Sequence, residues 1–101
     1  MQFDHVSVGK KANVYFDGKC VSHTVTLADG TRKSVGVVLP STLRFDLSTR
    51  EVMEVVDGTA YVSINGAAEQ TFAAGQSWEV AAGGCFVIRA ESPVHYVCHF
   101  D

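Results

Sequence analysis

Short runs of alternating apolar and polar residues recur along the whole chain, each closed by Gly, Asp, Asn or Pro. From Val21 to Leu27, for example, every second side chain is aliphatic or imidazole, and Ser or Thr stands between them. A period of two is typical of β-strands that bury one face. About nine such strands are predicted, and no window carries a sustained helical stripe. The pattern therefore indicates an all-β sandwich or small barrel, since a single open sheet would leave long edges exposed.

Two glycine-containing turns divide these runs. The sequence ADGT at 28–31 separates two alternating segments and predicts a hairpin between them. The pair Asp57-Gly58 separates EVMEVV from TAYVSI and predicts a second hairpin, because glycine accepts a positive φ at little cost. Pro40, which has no backbone N–H to donate, predicts the end of the strand before it.

Composition limits the classes of protein that fit. The 101 residues are 47% apolar and 19% charged, which indicates one globular domain over residues 1–101. A net charge of −3 argues against nucleic-acid binding. The longest apolar stretches, about five residues, are far shorter than the ~20 of a membrane helix. With no signal-peptide pattern at the start and three irregularly spaced cysteines, a cytoplasmic protein is expected.

The spacing of Glu51 and Gly58 resembles part of a metal-binding signature of the cupin β-barrels, H-x-H-x3,4-E-x6-G. Gly75 and Gly83 fit the frame of the second cupin motif, although Ala81 stands where proline is usual. The resemblance implies a cupin-like (jelly-roll, RmlC-like) β-barrel as the fold.

The histidines of both cupin motifs are missing. The first-motif positions fall at Phe45 and Leu47 in one alignment and at Arg44 and Asp46 in the other, and the second-motif position falls at Phe86. Imidazole nitrogens hold the transition metal in such sites, and one carboxylate alone does not replace them. We therefore expect no bound metal. This also disfavours a metal-dependent cupin oxygenase or isomerase.

A closer resemblance extends over nearly the whole chain. The segments RKSVGV, EVMEVVDG, AGQSWEV and YVCHF, in that order, resemble the small metal-free pyrimidine/purine nucleoside phosphorylases. The resemblance implies an enzyme, a pentosyltransferase that needs no cofactor. It would split purine and pyrimidine nucleosides with inorganic phosphate, giving the free base and α-D-ribose 1-phosphate. Loss of the metal ligands fits equally well a non-catalytic cupin that binds a small sugar or nucleoside.

Phosphorolysis requires a phosphate held beside C1′ and stabilisation of a sugar cation. Alternation places Glu51 on the inward face of its strand with Met53 and Val55, where it could contact ribose or balance the cation; the alternative is an exposed charge at the strand end. Tyr96 could donate its hydroxyl or stack on the base, or simply fill the core. We take Glu51 and Tyr96 as the candidate catalytic residues.

Four further residues are candidates for binding substrate. The planar guanidinium of Arg32 could bind phosphate through two hydrogen bonds, and the hydroxyl of Ser34 could donate another. The alternative is that both residues belong to the solvent-exposed end of a hairpin. Phe45 and Phe86 are either barrel filling or the floor against which a base stacks.

His23, His95 and His99 alternate with apolar residues and are candidates for core or interface positions, or for the general acid that protonates the leaving base. Because a barrel of this size has sheet edges to cover, we also expect a homodimer.

Overall fold

Eleven β-strands and one 3₁₀ turn make up a computed structural model that describes residues 1–100. This part of the chain contains no α-helix, and no helix in it is long and apolar enough to cross a membrane. The all-β prediction is confirmed. The strands are β1 (Ser7–Val8), β2 (Asn13–Tyr15), β3 (Cys20–Thr26), β4 (Arg32–Val38), β5 (Ser41–Asp46), β6 (Glu51–Asp57), β7 (Thr59–Ile64), β8 (Gln70–Ala73), β9 (Ser77–Val80), β10 (Cys85–Ala90) and β11 (Val94–Phe100).

The strands form two antiparallel sheets. The larger has seven strands in the order β1-β3-β4-β11-β6-β9, with β2 also paired to β3. The smaller has four strands in the order β5-β10-β7-β8. Within residues 1–100 no ladder joins one sheet to the other, so the structure is a two-sheet sandwich whose barrel is not closed by hydrogen bonds.

The hairpin predicted at residues 28–31 is confirmed. Strands β3 and β4 pair along their full length, from Cys20 opposite Val38 to Thr26 opposite Arg32. The backbone N–H of Thr31 donates to the side chain of Asp29 at 2.9 Å, and Gly30 takes a φ of +88°. The local turn chemistry was therefore sufficient to predict this pairing.

The hairpin predicted at Asp57-Gly58 is wrong. Strand β6 pairs with β11 and β9 in the seven-stranded sheet, whereas β7 pairs with β10 and β8 in the four-stranded sheet. The turn thus carries the chain from one sheet to the other. Gly58 has a φ of +90°, and a Cβ there would lie 2.5 Å from the carbonyl oxygen of Pro93. Glycine is needed for this close crossing.

The core fills the space between the sheets and follows the alternation of the strands. In β10, Phe86, Ile88 and Ala90 are buried, while Arg89 points outward and binds Glu69 and Glu91. The large buried side chains include Trp78, which packs against Phe86 and Phe72, and residues from both sheets: Val38, Leu43, Leu47, Met53, Val55, Val62, Val80 and Val94.

Strands β1, β2 and β5 and the 3₁₀ turn Phe16–Gly18 were not among the predicted runs, and the structure has eleven strands where about nine were expected. Strand β2 lies beside β3, with Tyr15 opposite Cys20. The turn after it brings Tyr15 and Phe16 against Phe45 of β5, the edge strand of the other sheet. These aromatic contacts bridge the two sheets where no ladder does.

Candidate active site

A cavity of about 210 Å³ lies between the two sheets. One wall of the cavity is formed by strands β3, β4, β6 and β11, and the other wall is formed by β5 and β10. Its lining combines aromatic rings with hydroxyls, thiols and two carboxylates: Tyr15, Cys20, Ser22, Ser34, Val38, Phe45, Asp46, Glu51, Met53, Phe86, Ile88, Tyr96, Cys98 and Phe100. Five of the six predicted site residues are among them. The exception is Arg32.

Glu51 enters the cavity from the first position of β6, on the same face as Met53 and Val55. The thiol of Cys98 on the adjacent strand β11 donates to its Oε1 atom at 3.2 Å. Burial and the nearby carboxylate of Glu51 raise the pKa of Cys98, so the thiol remains protonated and acts as a donor. One carboxylate oxygen is thus anchored, and the other has no hydrogen-bond partner among residues 1–100.

Tyr96 stands in the middle of the wall formed by β11. Its ring lies over Gly36, its cross-strand partner, where an added Cβ would come within 2.8 Å of Cζ. Its hydroxyl is 3.3 Å from the sulfur of Cys20. Burial raises the pKa of Tyr96, and the contact with Cys20 raises it further, so the side chain is a neutral phenol. It can donate or accept a hydrogen bond in the cavity but cannot supply a negative charge at neutral pH.

Ser22 and Ser34 are the buried polar residues of the described chain, and both line the cavity. Ser22 accepts a hydrogen bond from the amide of Asn13 at 3.3 Å. Ser34 lies opposite Cys98 in the ladder between β4 and β11. Hydroxyls at this depth among apolar neighbours can satisfy the hydroxyl groups of a small polar ligand.

Aromatic rings form the opposite wall. Phe45 stacks on Phe86 with centroids 5.2 Å apart, and Phe86 contacts Trp78 at 5.6 Å. Phe86 is 2% exposed and serves mainly as core, whereas Phe45 is half-buried. Phe45 therefore covers Phe86 and faces the cavity.

Arg32 lies at the rim. It is the first residue of β4 and alternates with Ser34, but its side chain is exposed and does not line the cavity. In the ladder between β4 and β11, Lys33 pairs with His99, so Arg32 stands opposite Phe100. On its other side, Phe100 pairs with Glu51 of β6. Arg32 and Glu51 are thus two strand spacings apart, about 10 Å, at the same end of the sheet. No side chain in residues 1–100 forms an ion pair with Arg32.

The three histidines considered as general acids lie away from the cavity. His23 binds the carbonyl oxygen of Gly9, and His95 is exposed on β11. On the outer face of the sheet, the ammonium of Lys33 donates to His99 Nδ1 at 2.8 Å, and His99 Nε2 then donates to Glu54 at 2.9 Å. None of these rings reaches the cavity lining.

Sequence reasoning missed several cavity residues: Tyr15, Cys20, Ser22 and Asp46. The alternation of β3 places Cys20 and Ser22 on one face, so a signal for these two existed. Asp46 lies at the end of β5, where it pairs with Arg44 at 3.1 Å and still borders the cavity. Tyr15 belongs to a strand of three residues, too short for a pattern.

Of the residues at the cupin histidine positions, only Asp46 carries metal-binding oxygens, and it forms an ion pair with Arg44. Phe45 and Phe86 stack on each other, and Leu47 is buried in the core. Within residues 1–100, no group of three or more His, Cys, Asp or Glu side chains could hold a metal ion.

Fold and site together define a class of protein: a cupin-like β-sandwich with a small polar and aromatic cavity between its sheets. The chain resembles an RmlC-like cupin from Shewanella frigidimarina, with a TM-score of 0.74 at 16% identity, covering 98% of this chain and 91% of that one. At this identity the similarity concerns the fold alone, and it confirms the predicted cupin-like architecture.

The family is more specific. The sequence model of the pyrimidine/purine nucleoside phosphorylases matches residues 10–100. Proteins of that name from Thiobacillus denitrificans and Dechloromonas aromatica are 60% and 57% identical, each over 98% of this chain and 97% of the relative. The chain belongs to the pyrimidine/purine nucleoside phosphorylase family. A crystal structure from Acinetobacter sp. ADP1, of a protein described as of unknown function, is 44% identical with a TM-score of 0.96, covering 99% of this chain and 98% of that one.

Proposed function

We propose that this protein is a nucleoside phosphorylase of broad specificity. In the reaction, the C1′–N bond of a purine or pyrimidine nucleoside breaks, and an oxygen of inorganic phosphate bonds to C1′. The products are the free base, which takes up a proton, and α-D-ribose 1-phosphate. The observation that carries the proposal is membership of the family over residues 10–100, together with relatives of that name at 57% and 60% identity. The cavity supports it, because it offers a carboxylate and neutral hydroxyls between apolar walls.

We assign Glu51 to the sugar. The transition state of N-glycoside cleavage resembles an oxocarbenium ion, and a fixed carboxylate beside it lowers its energy without any motion during the reaction. The hydrogen bond from Cys98 at 3.2 Å holds Oε1 in place. The other oxygen can face the ring or accept hydrogen bonds from ribose hydroxyls.

We assign Arg32 to phosphate. A guanidinium binds phosphate oxygens through two parallel hydrogen bonds, and Arg32 has no ionic partner within residues 1–100 that would compete. Its position about 10 Å from Glu51 leaves space between the two for phosphate on one side and sugar on the other. The exposed guanidinium would turn inward over Phe100 when the dianion enters.

Tyr96 and Ser34 are assigned to orientation of the ligand. Tyr96 stays a neutral phenol because burial raises its pKa, and Ser34 lies two residues before Gly36, the cross-strand partner of Tyr96. Both present hydroxyls that can hydrogen-bond a sugar or phosphate oxygen. Holding reactants in this way accounts for a large part of the acceleration in reactions where the nucleophile is a substrate.

We also propose that the reaction needs no cofactor, since phosphate is itself the nucleophile. Elemental analysis of untagged protein should find no stoichiometric iron, manganese or zinc, and activity should survive EDTA. Full inactivation by EDTA that added metal restores would contradict this proposal.

A homodimer acting in the cytoplasm remains our expectation. Edge strands β5, β8 and β9 each have one paired neighbour, and the outer face of the seven-stranded sheet exposes Val35. Unpaired edges and apolar outer faces favour association. Light scattering should give about twice the 10.9 kDa of one chain, and a particle of monomer mass at micromolar concentration would argue against it.

The decisive experiment measures release of base from uridine and adenosine with and without phosphate. Release that depends on phosphate and yields ribose 1-phosphate is expected for both nucleosides. Release without phosphate would indicate a hydrolase. Binding of nucleoside without any turnover would instead indicate a non-catalytic cupin.

A further inference from the structure

Two large aromatic side chains next to Phe45 remain exposed, and one of them, Tyr15, lines the cavity as Phe45 does. Tyr15 and Phe16, here called the aromatic rim, are 45% and 46% exposed. Both rings meet Phe45 edge to face, with centroid separations of 6.2 Å and 5.4 Å. Each ring is therefore fixed at one edge by Phe45 while much of its surface faces solvent. Aromatic residues held in this way beside a cavity are typical of ligand sites.

The backbone of the aromatic rim adopts an unusual conformation. Phe16, Asp17 and Gly18 have φ angles of +51°, +54° and +91°. For a bulky residue such as phenylalanine a positive φ is a clear outlier, and such outliers concentrate at ligand-binding sites. The backbone N–H of Lys19 donates to the carbonyl oxygen of Phe16 at 3.1 Å and closes the turn. The turn thus keeps the ring of Phe16 next to Phe45, outside the core.

The size of the cavity shows why an outer binding surface is needed. Its volume is about 210 Å³, less than the roughly 300–1,000 Å³ of pockets that enclose a whole small-molecule ligand. A nucleoside and a phosphate cannot both be enclosed. The polar groups that suit the sugar, Glu51, Ser34 and Tyr96, line the cavity itself. The base is then the part that extends to the mouth.

We infer that Tyr15 and Phe16 form the stacking site for the base of the nucleoside. The inference rests on the proposed phosphorylase function and adds to it the means of base recognition. Every purine and pyrimidine has a π-face, so binding by stacking tolerates many bases, whereas hydrogen bonds built to one base's edge would reject the others. The aromatic rim therefore explains how one small site accepts both classes of nucleoside.

The test distinguishes stacking on aromatic rings from apolar contact with a side chain that has no ring. The double variant Tyr15→Leu/Phe16→Leu keeps apolar side chains without rings, and Tyr15→Phe/Phe16→Tyr keeps both rings. The leucine variant should raise KM for adenosine about tenfold, equivalent to about 1.4 kcal/mol, which lies within the range for one base–aromatic stack. Uridine should be affected less because its single ring overlaps less. KM for phosphate should not change, and the ring-retaining variant should raise KM for adenosine much less than the leucine variant does.

Tyr61→Leu is the matched control. Tyr61 is a partly exposed tyrosine on the outer face of the four-stranded sheet, stacked under Arg89 at 4.2 Å and absent from the cavity lining. Unchanged nucleoside KM in the leucine double variant would overturn the inference. So would equal losses in KM for phosphate, or an equal effect of Tyr61→Leu.

Calorimetric titration with adenosine in the absence of phosphate distinguishes this inference from the proposed function. If wild type binds adenosine but releases no base after phosphate is added, the proposed function fails, and weaker binding by the leucine variant would still support the stacking site. If wild type and the leucine variant bind adenosine equally, the stacking site is refuted whatever the activity.

Discussion

Replacing Glu51 by glutamine removes the negative charge proposed to face the sugar while keeping the size of the side chain. The amide oxygen can still accept the hydrogen bond that the Cys98 thiol gives to Oε1 at 3.2 Å. Folding should therefore change little, and the loss should be confined to electrostatics. This makes the substitution a direct test of the role assigned to the carboxylate.

The magnitude follows from Coulomb's law. Glu51 is half-buried at the edge of the cavity, where an effective dielectric constant of about 20 is appropriate. Two unit charges about 4 Å apart then interact by about 4 kcal/mol, and a sugar carrying half a positive charge by about 2 kcal/mol. The variant should lower kcat by about 30- to 900-fold. Because the charge develops on the sugar, adenosine and uridine should lose activity to a similar extent.

The assay is steady-state release of base from adenosine and uridine at saturating phosphate. Glu54→Gln is the control, since Glu54 is on the same strand with its carboxylate on the outer face, bound to His99. It should retain wild-type kinetics. The assignment would be refuted if Glu51→Gln left kcat unchanged in a folded protein, or if only one of the two nucleosides were affected.

Three further predictions concern phosphate, packing and thiol reactivity. Arg32→Ala should raise KM for phosphate about 10- to 150-fold, matching the ~1.5–3 kcal/mol of a hydrogen bond to a charged group, and Arg32→Lys should restore part of it. Gly36→Ala should destabilise the fold by about 1–3 kcal/mol and lower Tm by at least about 4 °C, because its Cβ would lie 2.7 Å from the Val21 carbonyl oxygen and 2.8 Å from both Ser22 Cβ and Tyr96 Cζ. Iodoacetamide at pH 8 should modify Cys98 at least about tenfold more slowly in the folded than in the denatured protein, since its raised pKa suppresses the thiolate.

Each of these has a clear contrary result. If Arg32→Ala left the KM for phosphate unchanged, groups other than Arg32 would have to bind the phosphate. Gly9→Ala is the packing control, because a Cβ there meets only ordinary contacts, the nearest at 3.6 Å. Equal melting temperatures for the two alanine variants would show that β3 and the Tyr96 ring shift to make room for the added Cβ. Peptide mass spectrometry follows alkylation, and fast labelling of Cys98 would show that the cavity thiol is not shielded.

Features that depend on local geometry were determined by the sequence. The alternation of Glu51, Met53 and Val55 was enough to place the carboxylate on the inward face, because successive side chains of a strand point to opposite sides. The hairpin between β3 and β4 followed from the turn residues alone. The spacings of Glu51 to Gly58 and of Gly75 to Gly83 likewise resembled the cupin motifs, and the cupin-like fold is confirmed.

Features that depend on distant partners were decided by the tertiary structure. Asp57-Gly58 has the same local chemistry whether the chain turns within a sheet or crosses between sheets. The crossing occurs because β6 pairs with β11 and β7 pairs with β10. Strand pairing between segments far apart in sequence is selected by the shared core, and no local pattern records it.

The aromatic rim illustrates the same limit. Tyr15 and Phe16 belong to a three-residue strand and a turn with positive φ angles, which the residue types do not favour. Both rings contact Phe45 of the opposite sheet, a partner distant in sequence. Arg32 shows the same limit: its residue type indicated phosphate binding, but its position beyond the end of the cavity depends on where β4, β11 and β6 align. Local periodicity determines which way a side chain points, and the packing of distant strands determines what it meets there.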